Sequence, residues 1–264
     1  MDKKTNSPDG TAIAYERTGA GPAVILVSGA LSAGSSMEPL AARLSGGLGA
    51  VPYDRRGRGA SGDTAPYAVA REVEDIAALI DAVGGSAALY GMSSGAALAL
   101  EAAASGLPVT RVAVYEPPFA VDEGGGKERT EYTQQLSALL AEGRNGDAVE
   151  LFMSLTGAPA EMIAGARRSP WWPDMEAVAP TLAYDNAAMG DGLVPRERLA
   201  SITVPVLAVA GGASPSWMRE AARTVAGAVP DGTYRTLDGQ THAVDPDALG
   251  PLLSDFFSAG PRTP

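Results

Sequence analysis

One short stretch constrains the fold more than any other: an apolar run that leads directly into a glycine-flanked serine. Ala87-Ala88-Leu89-Tyr90 is followed by Gly91-Met92-Ser93-Ser94-Gly95, and then by the small-residue helical pattern Gly95-Ala96-Ala97-Leu98-Ala99-Leu100. A Gly-x-Ser-x-Gly sequence between a strand and a helix has the form of a nucleophile elbow. The sharp turn strains the serine backbone and pushes its Oγ out at the end of the strand. Glycines flank it because side chains there would collide with the neighbouring strand and helix. The helix N-terminus behind the serine offers backbone N–H groups and a positive dipole to a developing oxyanion.

The rest of the chain fits such a frame. Short apolar runs alternate with longer helical patterns, the signature of a mostly parallel sheet wrapped by helices. Strands are expected at 11–16, 23–27, 49–53, 87–90, 111–115, 205–210 and 233–237, and Ala23-Val24-Ile25-Leu26-Val27 reads as buried on both faces. Helices are expected at 37–44, 68–83, 95–104, 216–229 and 247–257. Between Phe119 and about Ile202 the strand pattern disappears. Helical patterns at 128–142 and 146–156 precede a segment rich in Pro, Trp and Met, and Gly124-Gly125-Gly126 reads as a joint. The expected organisation is a core of residues 1–118 and 203–264 with a helical cap at 119–202.

An elbow serine needs a base, and composition leaves one choice. The 264 residues include no Cys and a single His, so thiolate chemistry and two-His metal motifs are excluded within one chain. That histidine, His242, ends Gly239-Gln240-Thr241-His242, after the last apolar strand and before the C-terminal helix. Successive strands of a parallel sheet end on one side, which puts His242 at the same edge as Ser93. The net charge of −11 argues against a nucleic-acid partner. The polar N-terminus has no signal-peptide core, and no apolar run reaches 18 residues, so a cytoplasmic protein without a membrane span is expected.

With these residues in view, the chain resembles the α/β-hydrolase superfamily over nearly its whole length. The resemblance is carried by Leu26-Val27-Ser28-Gly29-Ala30, by Tyr53-Asp54-Arg55-Arg56-Gly57-Arg58-Gly59-Ala60-Ser61-Gly62, by the elbow, and by the Gly-x-x-His ending at His242. It implies an α/β fold with a mostly parallel eight-stranded sheet, a helical cap inserted after strand 6, and no cofactor. Most relatives place the triad acid after the seventh strand, but here that loop, Gly211-Gly212-Ala213-Ser214-Pro215-Ser216-Trp217, has no carboxylate. Glu116 follows the sixth strand in Tyr115-Glu116-Pro117-Pro118 and takes the acid position used by some relatives; Asp238, Asp122 and Asp245 are weaker candidates. A Ser-Ser-Gly elbow, a Glu after the sixth strand and an uncharged loop after the seventh also resemble the fungal zearalenone lactonases. By position, the oxyanion donors are the amides of Ser94 and Ala30.

Two other motifs carry less. Gly57-Arg58-Gly59-Ala60-Ser61-Gly62 matches a dinucleotide-binding fingerprint, but no helix opens at it, and Asp54 beside it reads as a structural group bonding local amides. In the cap, Trp171 and Trp172 adjoin Pro170 and Pro173 in an expected loop, and either could line a substrate pocket together with Met92. The expected function is a serine hydrolase, monomeric or homodimeric, cleaving an ester or lactone bond of a hydrophobic small molecule through Ser93, His242 and Glu116. A carbon–carbon bond hydrolase and a catalytically silent ligand-binding relative are the alternatives.

Overall fold

Val24 and Leu26 point to one side of their strand and Ile25 and Val27 to the other, and all four are completely buried. This follows from a parallel strand covered on both faces, which needs apolar side chains at every position. The computed structural model describes residues 1–259, and among them the chain forms eight strands. These are β1 (Lys3–Asn6), β2 (Ala12–Tyr15), β3 (Ala23–Val27), β4 (Gly49–Pro52), β5 (Ala87–Met92), β6 (Val109–Tyr115), β7 (Val206–Gly211) and β8 (Gly232–Leu237). Six of them make one parallel sheet in the order β4-β3-β5-β6-β7-β8. The first two form an antiparallel pair of their own, so the single eight-stranded sheet that the resemblance implies is divided six and two, because among the described residues only isolated bridges, Tyr15 to Tyr53 and Thr18 to Ala50, reach the β4 edge. Hydrogen bonds from Thr18 to Ala50 and from Asp54 to Ala14, both 2.9 Å, tie that pair to the β4 edge.

Helices cover both faces. On one side α1 (Glu38–Leu44) and α11 (Pro246–Ser258) pack Leu40, Leu44, Leu253 and Phe257 onto Val24, Leu26, Tyr90 and Val209. On the other, α2 (Val69–Val83), α3 (Ser94–Ala104) and α10 (Ser216–Ala228) pack Ile76, Leu98 and Val225 onto Ile25, Val27 and Leu89. The chain leaves β3 towards α1 and β5 towards α3, so these adjacent strands feed opposite faces. The carboxyl ends of β3 and β5 therefore flank a topological switch point, where open α/β sheets form their binding crevice.

Between β6 and β7 the chain is helical, with α4 (Glu123–Ala141), α5 (Asn145–Leu155), α6 (Ala160–Arg167), α7 (Trp172–Val178), α8 (Leu182–Ala188) and α9 (Arg196–Ala200). Two expectations shift here. The glycine triplet expected as a joint lies inside α4, whose first turn starts at Glu123. The Pro-rich segment expected as loop forms short helices, with Pro173 in the first turn of α7. Proline fits that position because the N–H it lacks has no intrahelical partner there. The insertion has a small core of its own around Trp172, Val149, Ala166 and Ala179, and this core touches Leu31 at the end of β3's loop.

Candidate active site

Only three non-glycine residues among those described have a left-handed φ: Leu31 at 53°, Ser93 at 55° and Glu116 at 45°. Each follows closely on the carboxyl end of β3, β5 or β6, three neighbouring strands of the sheet. Such conformations cost on the order of 1–3 kcal/mol each and persist where the surroundings impose them. Their clustering marks this edge before any side-chain chemistry is considered.

At the elbow, Ser93 has φ 55° and ψ −126° and leads straight into α3. The turn requires its flanking glycines. A Cβ on Gly91 would lie 2.7 Å from Ala96 Cα, and one on Gly95 would lie 2.5 Å from the Ser28 carbonyl oxygen. The loop after β3 presses on the serine as well, since a Cβ on Gly29 would stand 3.1 Å from Ser93 Cβ. Ala30, the next residue, is thereby held beside Ser93. The backbone amides of Ala30 and Ser94 donate to no other group among the described residues, so both are free to bind an anion.

Glu116 is fully buried at its side chain, and its Oε2 lies 2.7 Å from His242 Nδ1. Its Oε1 accepts the Gly211 amide at 2.8 Å, and its own amide donates to Val209 O at 2.9 Å. Burial pushes this carboxyl up, but the imidazole, the Ser214 side chain and the Gly211 amide together outweigh it. The net effect holds Glu116 below its ordinary value, and so ionised. The Tyr115 hydroxyl donates to Thr241 O at 2.6 Å, and the Ser93 amide donates to Tyr115 O at 3.0 Å. One strand end thus anchors both the serine turn and the histidine loop. Ser93 Oγ and His242 are not hydrogen-bonded to each other among the described residues; in unliganded sites such bonds are commonly long and tighten around substrate.

None of the other candidate acids is hydrogen-bonded to His242 among the described residues. Asp245 caps α11 by accepting the Asp247 amide at 2.8 Å, while Asp122 and Asp238 are exposed. Asp54 accepts the amides of Gly34 and Ala60, each at 2.8 Å, matching its expected structural role. Trp172 is buried in the core of the insertion, Trp171 is 48% exposed, and Met92 is half-buried against the α1 side of the sheet. No group of three or more His, Asp or Glu residues that could hold a metal ion occurs among the described residues.

Sequence reasoning missed a buried charge cluster behind the site. Arg55 forks onto Glu72 at 2.7 and 2.8 Å and reaches Asp185 of α8 at 2.6 Å. Arg58 meets the other Asp185 oxygen at 2.7 Å, and Ser94 Oγ donates to Asp185 at 2.7 Å. The available signal was three arginines within four residues of a chain with net charge −11, which need carboxylate partners wherever they are buried.

Comparison with known proteins agrees with this architecture. The sequence model of the alpha/beta hydrolase family matches residues 24–250. An alpha/beta hydrolase from Sphaerobacter thermophilus is 53% identical, with a TM-score of 0.89, over 97% of this chain and 100% of its own. The enol-lactonase from Burkholderia xenovorans superposes with a TM-score of 0.67 at 22% identity, over 97% of this chain and 100% of its own. An esterase from Exiguobacterium antarcticum superposes with a TM-score of 0.75 at 18% identity, over 98% and 100%. These two likenesses concern the fold alone. A comparison with curated proteins found no significant match. No helix among the described residues is long and apolar enough to cross a membrane. The chain belongs to the alpha/beta hydrolase family.

Proposed function

We propose that the protein is a serine hydrolase of carboxylic ester or lactone bonds in hydrophobic small molecules, with Ser93, His242 and Glu116 as its triad. The observation that carries this reading is the pairing of the chain's one imidazole, at 2.7 Å, with a buried and ionised glutamate on the sheet edge that bears a strained serine. In this reading Glu116 keeps the proton on Nδ1, which leaves Nε2 free to act as base. Ser93 Oγ attacks the acyl carbon while its proton passes to Nε2, and the carbonyl oxygen becomes an oxyanion between the Ala30 and Ser94 amides. Collapse expels the alkoxide, which takes the proton from His242. Water then attacks the acyl-enzyme by the same route, releasing the acid and restoring Ser93. Each oxyanion donor contributes about 10²–10³ in rate in such sites.

The insertion at 119–202 acts as a cap over this edge in the same reading. Its packing against Ala30 and Leu31 supports that role, and its Trp, Met and Leu content favours an apolar substrate group. Met92, beside the nucleophile, and Trp171 are the apolar contacts proposed for it, since Trp172 is buried within the insertion's own core. The experiment is a turnover screen across aryl esters, small lactones, macrolactones and β-diketones, with product analysis in labelled water. Release of a carboxylic acid carrying one solvent oxygen from esters or lactones supports the reading. Turnover confined to diketone carbon–carbon bonds, or none at all, contradicts it.

A further inference from the structure

Asp185 lies on the insertion helix α8, outside the proposed proton relay, and its side chain is only 7% exposed. Its two oxygens take three strong donors: Arg55 at 2.6 Å and Ser94 Oγ at 2.7 Å on Oδ1, and Arg58 at 2.7 Å on Oδ2. Arg55 already has a forked partner in Glu72. Arg58 has no other carboxylate partner among the described residues. Its remaining terminal nitrogen donates to the Gly29 carbonyl at 2.6 Å and to the Ser32 carbonyl at 3.2 Å.

The grip on Gly29 matters because of peptide geometry. The Gly29 C=O and the Ala30 N–H belong to one planar trans peptide, so they point in opposite directions. Holding the carbonyl on Arg58 therefore aims the Ala30 N–H away from the arginine, and the guanidinium polarises the same peptide, strengthening that N–H as a donor. Ser94 is held from the other side, since its hydroxyl is tethered to Asp185 while its amide remains without an acceptor at the first position of α3. Arg58 and Arg55, together with the Ser94 hydroxyl, hold Asp185 ionised against the cost of its burial, and Arg129 is a further cation within electrostatic reach of it.

We propose that Asp185 is a positioning residue for the oxyanion hole. One carboxylate on the insertion orients both amide donors: Ser94 through its hydroxyl, and Ala30 through Arg58 and the Gly29 carbonyl. This rests on the reading of Ser93 as nucleophile and of these two amides as the oxyanion site. It also makes the docking of α8 a condition for catalysis, since both donors are referenced to that helix.

The test compares wild type, Ser94→Ala, Asp185→Asn and Asp185→Ala on one aryl ester and with an arylboronic acid, whose serine adduct places an oxyanion in the hole. Active sites are counted by fluorophosphonate titration. Ser94→Ala should lower kcat about tenfold and Asp185→Asn about 10²-fold per titrated site, with KM within about twofold and boronate affinity falling in parallel. A purely structural role lowers the yield of titratable sites or the unfolding midpoint and leaves kcat per site and boronate affinity unchanged; that result overturns the proposal. If the Asp185 variants do not fold, Ser94→Ala decides alone, because it removes one hydroxyl and leaves the backbone intact. A wild type that neither turns over esters nor reacts with fluorophosphonate brings down the hydrolase reading and this one with it. An active wild type with unaltered variants brings down this one only.

Discussion

Replacing Glu116 by glutamine preserves the shape of the side chain, removes one charge and forces a choice between two hydrogen bonds. Glu116 presents one oxygen to His242 Nδ1 at 2.7 Å and the other to the Gly211 amide at 2.8 Å, so both of its contacts need an acceptor. A glutamine has one oxygen and one NH2. With the oxygen on Gly211, the NH2 faces Nδ1, which must then accept, and the imidazole carries its proton on Nε2, where the Ser93 proton has to go. With the oxygen on His242, two donors face each other at the Gly211 amide and a buried N–H loses its partner, at a cost of about 1–3 kcal/mol. The first arrangement therefore dominates by roughly 5- to 150-fold, since 1.4 kcal/mol is a factor of ten. The remaining productive fraction also lacks the carboxylate that stabilises the imidazolium. The comparable Asp→Asn change in a serine protease lowers kcat about 10⁴-fold, so Glu116→Gln should lose about 10³–10⁴. The assay is kcat on an aryl ester, paired with 15N NMR. Because His242 is the only histidine, its ring nitrogens report the tautomer without assignment. A kcat within tenfold of wild type, or an Nδ1–H tautomer retained in the variant, rules out this role for Glu116.

The same geometry fixes three more outcomes. Gly95→Ala should cost about 1–3 kcal/mol in urea unfolding and most of the activity, because its Cβ would meet the Val27 and Ser28 carbonyls, backbone atoms that cannot yield separately. Trp172→Ala should destabilise by about 3–5 kcal/mol, whereas Trp171→Ala should stay within about 0.5 kcal/mol, as their opposite burial requires. Glu116 is held below its ordinary value, so its stabilising contribution is complete above the unfolded value of about 4.3 and disappears as pH falls through the lower folded value. The unfolding free energy of wild type minus that of Glu116→Gln should therefore shrink below about pH 4; a constant difference across that window would show that Glu116 is not held ionised.

The parts legible in the sequence are those whose physics is local. The strand at 23–27 matches its apolar run residue for residue, because a buried parallel strand must be apolar on both faces. The elbow is legible because the close approach of Gly91 and Gly95 to neighbouring backbone excludes any side chain there. The contact between Glu116 and His242 was within reach only through the resemblance to relatives with an acid after the sixth strand, since Asp122, Asp238 and Asp245 were open candidates in the sequence. The strand β1, Lys3–Asn6, escaped because its side chains are largely exposed and a solvated edge pair needs no apolar pattern. Helices α6 to α9 escaped because they are short and the prolines at or just before their starts, Pro159, Pro173, Pro180 and Pro195, read as breakers. Asp185 lies 91 residues from Ser94 and 127 to 130 from its arginines, and no local pattern announces a contact across that distance.

The chemistry proposed for this chain stands or falls with Ser93 as a nucleophile activated by the one histidine. Fluorophosphonate labelling followed by peptide mass spectrometry on wild type, Ser93→Ala and His242→Ala addresses both residues at once. The expected result is a single phosphonyl adduct on the peptide carrying Ser93 and none in Ser93→Ala. Labelling should slow by orders of magnitude in His242→Ala, where no imidazole remains to replace the base. An unlabelled wild type, an adduct on another residue, or undiminished labelling without His242 would contradict it.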